Sequence, residues 1–111
     1  MTEQAKKYLS DMLNAIELVE QFSKDTPDFE SYQADLKTKS AVERQLIILG
    51  EAVNKYSKAA PESPLNNIPK VVSFRNRLAH NYDEVDDTIV WAVLKKHLPA
   101  LRQEVIDLLK E

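Results

Sequence analysis

The chain has 111 residues, with 15 Lys and Arg, 18 Asp and Glu, one Gly and no Cys, and its formal net charge is −3. This length and composition predict one soluble domain over residues 1–111. The absence of cysteine excludes disulfides and thiolate zinc sites, and a single glycine excludes the glycine-rich loops that bind nucleotide phosphates. No stretch approaches the ~20 apolar residues of a membrane span, so we expect a cytoplasmic protein.

Apolar residues recur with a period near 3.6 along the chain, which predicts an all-α fold. The first helix is expected over residues 3–23, and a short helical segment over residues 29–36 should follow. A second long helix is expected over residues 40–57. Its apolar seam consists of Val42, Leu46, Leu49, Val53 and Tyr56.

Proline and short polar residues in the stretch 58–67 predict a loop after the second long helix. A third helix should run from Pro69 to about Asn81, because proline is well tolerated in a first helical turn. The last helix should begin at an Asp86 or Asp87 cap, with a kink or break near His97 caused by Pro99. The sequence thus predicts an antiparallel bundle of four main helices with a short extra helical segment.

The basic residues are concentrated in the middle of the chain. Residues 36–82 carry a net charge of +5, while the remainder carries −8. A basic zone is weak evidence for an anionic partner, because it acts only if the fold gathers it on one side. Charge alone favours the alternative of scattered, solvated lysines.

The third predicted helix is rich in polar residues that could take part in catalysis or binding: Arg75, Asn76, Arg77, His80 and Tyr82. A guanidinium stays charged and offers a planar fork of donors to a phosphate, and an imidazole exchanges a proton near neutral pH. Arg75 and His80 together could therefore support phosphodiester chemistry, one by stabilising charge on the phosphate and the other by acting as acid or base. The alternative is structural, with Arg75 in an ion pair, His80 at the helix end and Tyr82 packed against Leu78.

The pattern Arg75-Asn76, three residues, His80, one residue, Tyr82 resembles the signature of HepT-like proteins of the HEPN superfamily. The stretches 41–46, 50–52 and 85–91 are similar to the flanking segments of that family, so the resemblance covers nearly the whole chain. One departure is Lys70, since relatives often carry an aromatic residue after the proline equivalent to Pro69. The resemblance implies a HEPN-type helical bundle.

The resemblance also implies a homodimeric, metal-independent endoribonuclease that needs no cofactor. In this reading His80 moves a proton, Arg75 holds the developing negative charge on RNA, and Asn76 orients the reacting groups. Both subunits would contribute to one cleft. Arg77 and Lys70 are candidates to bind RNA phosphates.

The family consists of toxin partners of minimal nucleotidyltransferase antitoxins. The resemblance therefore implies a toxin–antitoxin role in which the antitoxin attaches adenylate to Tyr82. Two alternatives remain: a non-catalytic HEPN adaptor or nucleotide-binding partner of the transferase, and a plain dimerisation module.

Five residues outside the motif are assigned no part in catalysis or RNA binding. Trp91 and Tyr56 are interpreted as core or dimer-seam residues, because no basic residue interleaves with Trp91 to suggest base stacking. Glu43 and Glu51 fit a solvated helix face better than a metal pair. His97 is given no role.

Overall fold

The computed structural model describes residues 1–67 and 86–111, most of which are helical. The elements are α1 (Glu3–Phe22), a 3₁₀ turn (Ser23–Asp25), α2 (Phe29–Ala34), α3 (Leu36–Ala59), α4 (Asp87–Ala92), a π turn (Val93–His97) and α5 (Leu98–Leu109). Neither range contains a strand, so the all-α prediction is confirmed. The predicted third helix, residues 69–81, lies outside the described residues.

The start of α3 differs from the prediction, because the helix begins at Leu36 rather than at Ser40. Asp35 is its N-cap: Oδ1 accepts the Thr38 backbone N–H at 3.0 Å and Oδ2 accepts the Thr38 hydroxyl at 2.8 Å. These hydrogen bonds hold the pKa of the Asp35 carboxyl below its ordinary value. The sequence pattern places Leu36 at the end of the preceding short segment, but the Asp35 cap makes it the first residue of the long helix.

The core lies between α1, α3 and the C-terminal helices, and the predicted seam of α3 is buried throughout. The apolar face of α1 is also buried, with Tyr8 and Phe22 at its partly buried margin. Tyr8 of α1 faces Lys55 and Lys58 near the end of α3 across a shallow depression, so these two helices run antiparallel. Within the two described ranges, no helix has the length and apolar character needed to cross a bilayer.

The last predicted helix contains the irregularity that was expected near His97. The π turn Val93–His97 separates α4 from α5, and the Leu98 N–H donates to the Val93 carbonyl, five residues back. Pro99 follows at once in the first turn of α5, where it has no N–H to donate. The wider π turn accommodates Pro99, and the buried apolar face continues from Val90 to Val105.

Candidate functional site

The residues of the predicted site all lie between the two described ranges. These are Lys70, Arg75, Asn76, Arg77, His80 and Tyr82. Their roles therefore stay predictions. The structure does describe the two chain ends that enter and leave this segment, and both are fastened to the bundle.

Glu104 of α5 holds the part of the chain that leads into this segment. One carboxylate oxygen accepts the Asn66 backbone N–H at 2.8 Å, and the other accepts the Asn67 side-chain amide at 3.2 Å. Just upstream, the Tyr56 hydroxyl donates to the Ser63 carbonyl at 2.8 Å. These contacts fix the loop against α3 and α5 immediately before residue 68.

The part of the chain that follows this segment is held at the start of α4. Asp86 caps the helix by accepting the Thr88 N–H at 2.8 Å, which confirms the predicted cap. The next residue, Asp87, forms an ion pair with Lys39 of α3, with 2.8 Å between Oδ2 and Nζ. The two side chains are only 15% and 20% exposed, so solvent screens this pair less than a surface pair. The pair ties α4 to α3 two residues after the candidate segment.

Beside this ion pair lies a buried polar cluster that the sequence did not reveal. Tyr32 is fully buried, and Glu43 is 6% exposed. Burial, and then the nearby carboxylates of Glu43 and Asp87, raise the pKa of the Tyr32 phenol. Glu51, by contrast, is exposed. The solvated-face interpretation is therefore correct for Glu51 and wrong for Glu43.

Trp91 packs over the same cluster. Its ring centroid lies 5.5 Å from that of Tyr32 and 6.2 Å from that of Phe29. The ammonium of Lys95 lies 4.6 Å from the ring centroid, on the π turn. The premise that nothing basic accompanies Trp91 was therefore wrong. The ring's packing on two aromatic side chains still fits the core interpretation.

Tyr56 and His97, which were not assigned to the predicted site, have surroundings that suggest no catalytic role. Tyr56 is fully buried, as predicted for a core position. His97 is half-buried and makes no capping hydrogen bond. Within residues 1–67 and 86–111, no group of three or more His, Cys, Asp or Glu side chains is arranged to hold a metal ion.

Comparison with known proteins identifies the family. The family "Ribonuclease HepT-like" matches residues 12–108. The chain is 36% identical over 106 residues to the "Probable ribonuclease HepT" of Thermococcus cleftensis, covering 92% of this chain and 93% of that protein. It is 32% identical over 107 residues to a "Putative RNase" of Methanocaldococcus jannaschii, covering 96% of this chain and 91% of that protein.

A further relative shows that the match can form part of a longer protein. The chain is 31% identical to a "Gamma-glutamylcyclotransferase and putative RNase" of M. jannaschii, where the match covers all of this chain and half of that protein. No solved structure matches significantly. The family match covers most of both described ranges and all of the segment between them, and this chain belongs to the HepT-like ribonuclease family.

Proposed function

We propose that this chain, as a single domain over residues 1–111, is the toxin of a toxin–antitoxin system. It acts in the cytoplasm as a homodimeric, metal-independent endoribonuclease. One observation carries the proposal: the family match over residues 12–108 includes the Arg75 to Tyr82 motif. The fastened ends of the segment support it, because a catalytic segment has to be held in a defined geometry.

The proposed reaction is attack of a ribose 2′-hydroxyl on its own 3′-phosphate. A bond forms between O2′ and phosphorus, and the bond between phosphorus and the 5′-oxygen of the next nucleotide breaks. His80 transfers the protons, taking one from the 2′-hydroxyl as base or giving one to the departing oxygen as acid. Arg75 stabilises the added negative charge on the phosphoryl oxygens, and Asn76 orients the phosphate. Arg77 and Lys70 bind neighbouring phosphates.

The proposed control of this reaction is adenylylation of Tyr82 by a nucleotidyltransferase antitoxin. The Tyr82 oxygen would lose its proton and attack the α-phosphorus of ATP, and the bond to the β-phosphate would break so that pyrophosphate leaves. The attached adenylate carries a negative phosphate two residues from His80. It would compete with RNA for the Arg75 guanidinium and repel the RNA backbone.

The test is cleavage of a labelled RNA by the purified parent protein and by His80→Ala, each with and without EDTA. We expect the parent to cut in EDTA and His80→Ala to lose activity by about 100-fold or more, since general acid–base catalysis contributes about 10²–10⁴. His97→Ala is the matched control, because it removes the only other histidine and should cut like the parent.

Three results would count against the proposal. Undiminished cutting by His80→Ala would remove its assigned role, and loss of cutting in EDTA would contradict metal independence. A folded parent protein that cuts no RNA at all would favour the adaptor alternative.

A further inference from the structure

The outward face of α3 carries a row of basic side chains that the proposed reaction does not use. The row, which we name the basic stripe, consists of Lys37, Arg44, Lys55 and Lys58, all of which are exposed. At 100° per residue these positions lie within about 60° of one another around the helix axis, opposite the buried seam. They extend over about 32 Å, since α3 rises 1.5 Å per residue.

Within residues 1–67 and 86–111, no salt bridge involves a residue of the basic stripe. Glu51 is the one acidic residue in the same row, which leaves the row at +3 in a chain of net charge −3. The cations that do form ion pairs within the described ranges lie elsewhere: Lys6, Lys7, Lys39 and Arg102. The +5 zone seen in the sequence is thus partly gathered on one face of the bundle, as a polyanion site requires.

The end of the stripe adds polar groups to the positive charge. Lys55 and Lys58 line the depression between α1 and α3 together with Gln4 and Tyr8. The Gln4 amide donates to the Tyr8 hydroxyl at 3.0 Å. Hydroxyl and amide groups beside lysines suit the phosphate and sugar oxygens of a nucleic acid.

We propose that the basic stripe binds the backbone of the RNA substrate. This inference rests on the proposed function, because RNA is the polyanion that a ribonuclease must hold. Exposed lysines in a row fit a phosphate chain better than a protein partner, since protein interfaces are depleted of lysine. The contacts are with phosphates, so they add affinity without reading sequence.

The test is binding of a fluorescent single-stranded RNA whose 2′-hydroxyls are all methylated, so that the proposed attack is blocked. The stripe variant carries Lys37→Gln, Arg44→Gln, Lys55→Gln and Lys58→Gln. A matched control removes the same charge from four exposed lysines outside the stripe: Lys7→Gln, Lys24→Gln, Lys96→Gln and Lys110→Gln. Anisotropy gives the Kd of parent and variants between about 50 and 200 mM salt.

We expect the stripe variant to bind about tenfold or more weakly than the parent. The slope of log Kd against log salt should fall by about 0.7 for each lost phosphate contact. The control should keep most of the parental affinity and slope. Variants that change only Lys37 and Arg44, or only Lys55 and Lys58, should show intermediate losses and guard against a folding defect in the fourfold variant.

A stripe variant with parental Kd and salt slope would overturn the proposal. A control that weakens binding equally would also overturn it, because net charge and not location would then explain the effect. Cleavage of unmodified RNA by the parent is measured separately. A parent that binds RNA through the stripe without cutting it would contradict the proposed function and not this surface.

Discussion

Two buried tyrosines differ in what their hydroxyl groups contact. Tyr56 donates to the Ser63 carbonyl at 2.8 Å. The Tyr32 hydroxyl is buried and makes no hydrogen bond with the described part of the chain. A buried hydroxyl that donates stabilises the fold, whereas one without a partner costs its desolvation energy.

The two phenylalanine substitutions should therefore have different effects on the free energy of unfolding. Tyr56→Phe should lower it by about 1 kcal/mol, because the Ser63 carbonyl loses its donor. Tyr32→Phe should change it by less than about 0.5 kcal/mol or raise it. Chemical denaturation of both variants measures the difference, and a Tyr32→Phe protein as unstable as Tyr56→Phe would contradict the assignment.

The same Tyr32 variant should respond differently to high pH. Burial, together with Glu43 and Asp87, raises the pKa of Tyr32 above its ordinary value of 10.0. The folded state then keeps the proton at a pH where the unfolded chain has released it, so stability falls as the pH rises above that value. Tyr32→Phe removes this contribution and should flatten the alkaline loss of stability. An unchanged alkaline slope would show that Tyr32 does not titrate as described.

At the scale of elements, helical periodicity predicted the packing faces of the bundle closely. The α3 seam from Val42 to Tyr56 is buried as predicted, because a 3.6-residue period places those side chains on one face. The start of α3 was missed although a local signal existed, since Asp35 followed by Thr38 is an N-cap pattern. Local pattern thus determined helix faces better than helix ends.

Contacts between distant residues could not be predicted in this way. Glu104 binds Asn66 and Asn67 across about 37 positions, and nothing in the spacing of these residues marks them as partners. Glu43 likewise lies close to Tyr32 of α2, and a single helical wheel of α3 does not contain that proximity. The candidate motif itself was found from its residue pattern, and its geometry stays a prediction.

The Glu104 contact joins the loop to α5 and should contribute measurably to stability. Glu104→Gln keeps the shape of the side chain but replaces one accepting oxygen with a donor. We expect the free energy of unfolding to fall by about 1–2 kcal/mol, because a hydrogen bond to a charged group is lost. The matched control is Glu17→Gln, an exposed carboxyl of α1 that should stay within about 0.5 kcal/mol of the parent. Equal stability of the two variants would mean that the loop is held by its other contacts.

At the scale of the whole molecule, the inward and outward faces of the helices differ in polarity and charge. The inward faces of α1, α3 and α5 form the core, and the outward face of α3 carries the basic stripe. One chain supplies only one histidine within the motif. A symmetric dimer would place two Arg75 and two His80 side chains in a single cleft. The proposed active site therefore predicts that the protein is a dimer.

The dimer proposal is tested by complementation between two inactive chains. Arg75→Ala and His80→Ala chains with different tags are co-expressed and purified as the heterodimer. Its cleft would still hold one Arg75 and one His80, from opposite subunits. We expect the heterodimer to cut RNA at least about 10-fold faster than either mutant homodimer, since each homodimer lacks a group contributing about 10² or more. An inactive heterodimer of folded chains would place Arg75 and His80 in separate sites, and a parent protein that sediments as a monomer would contradict the shared cleft.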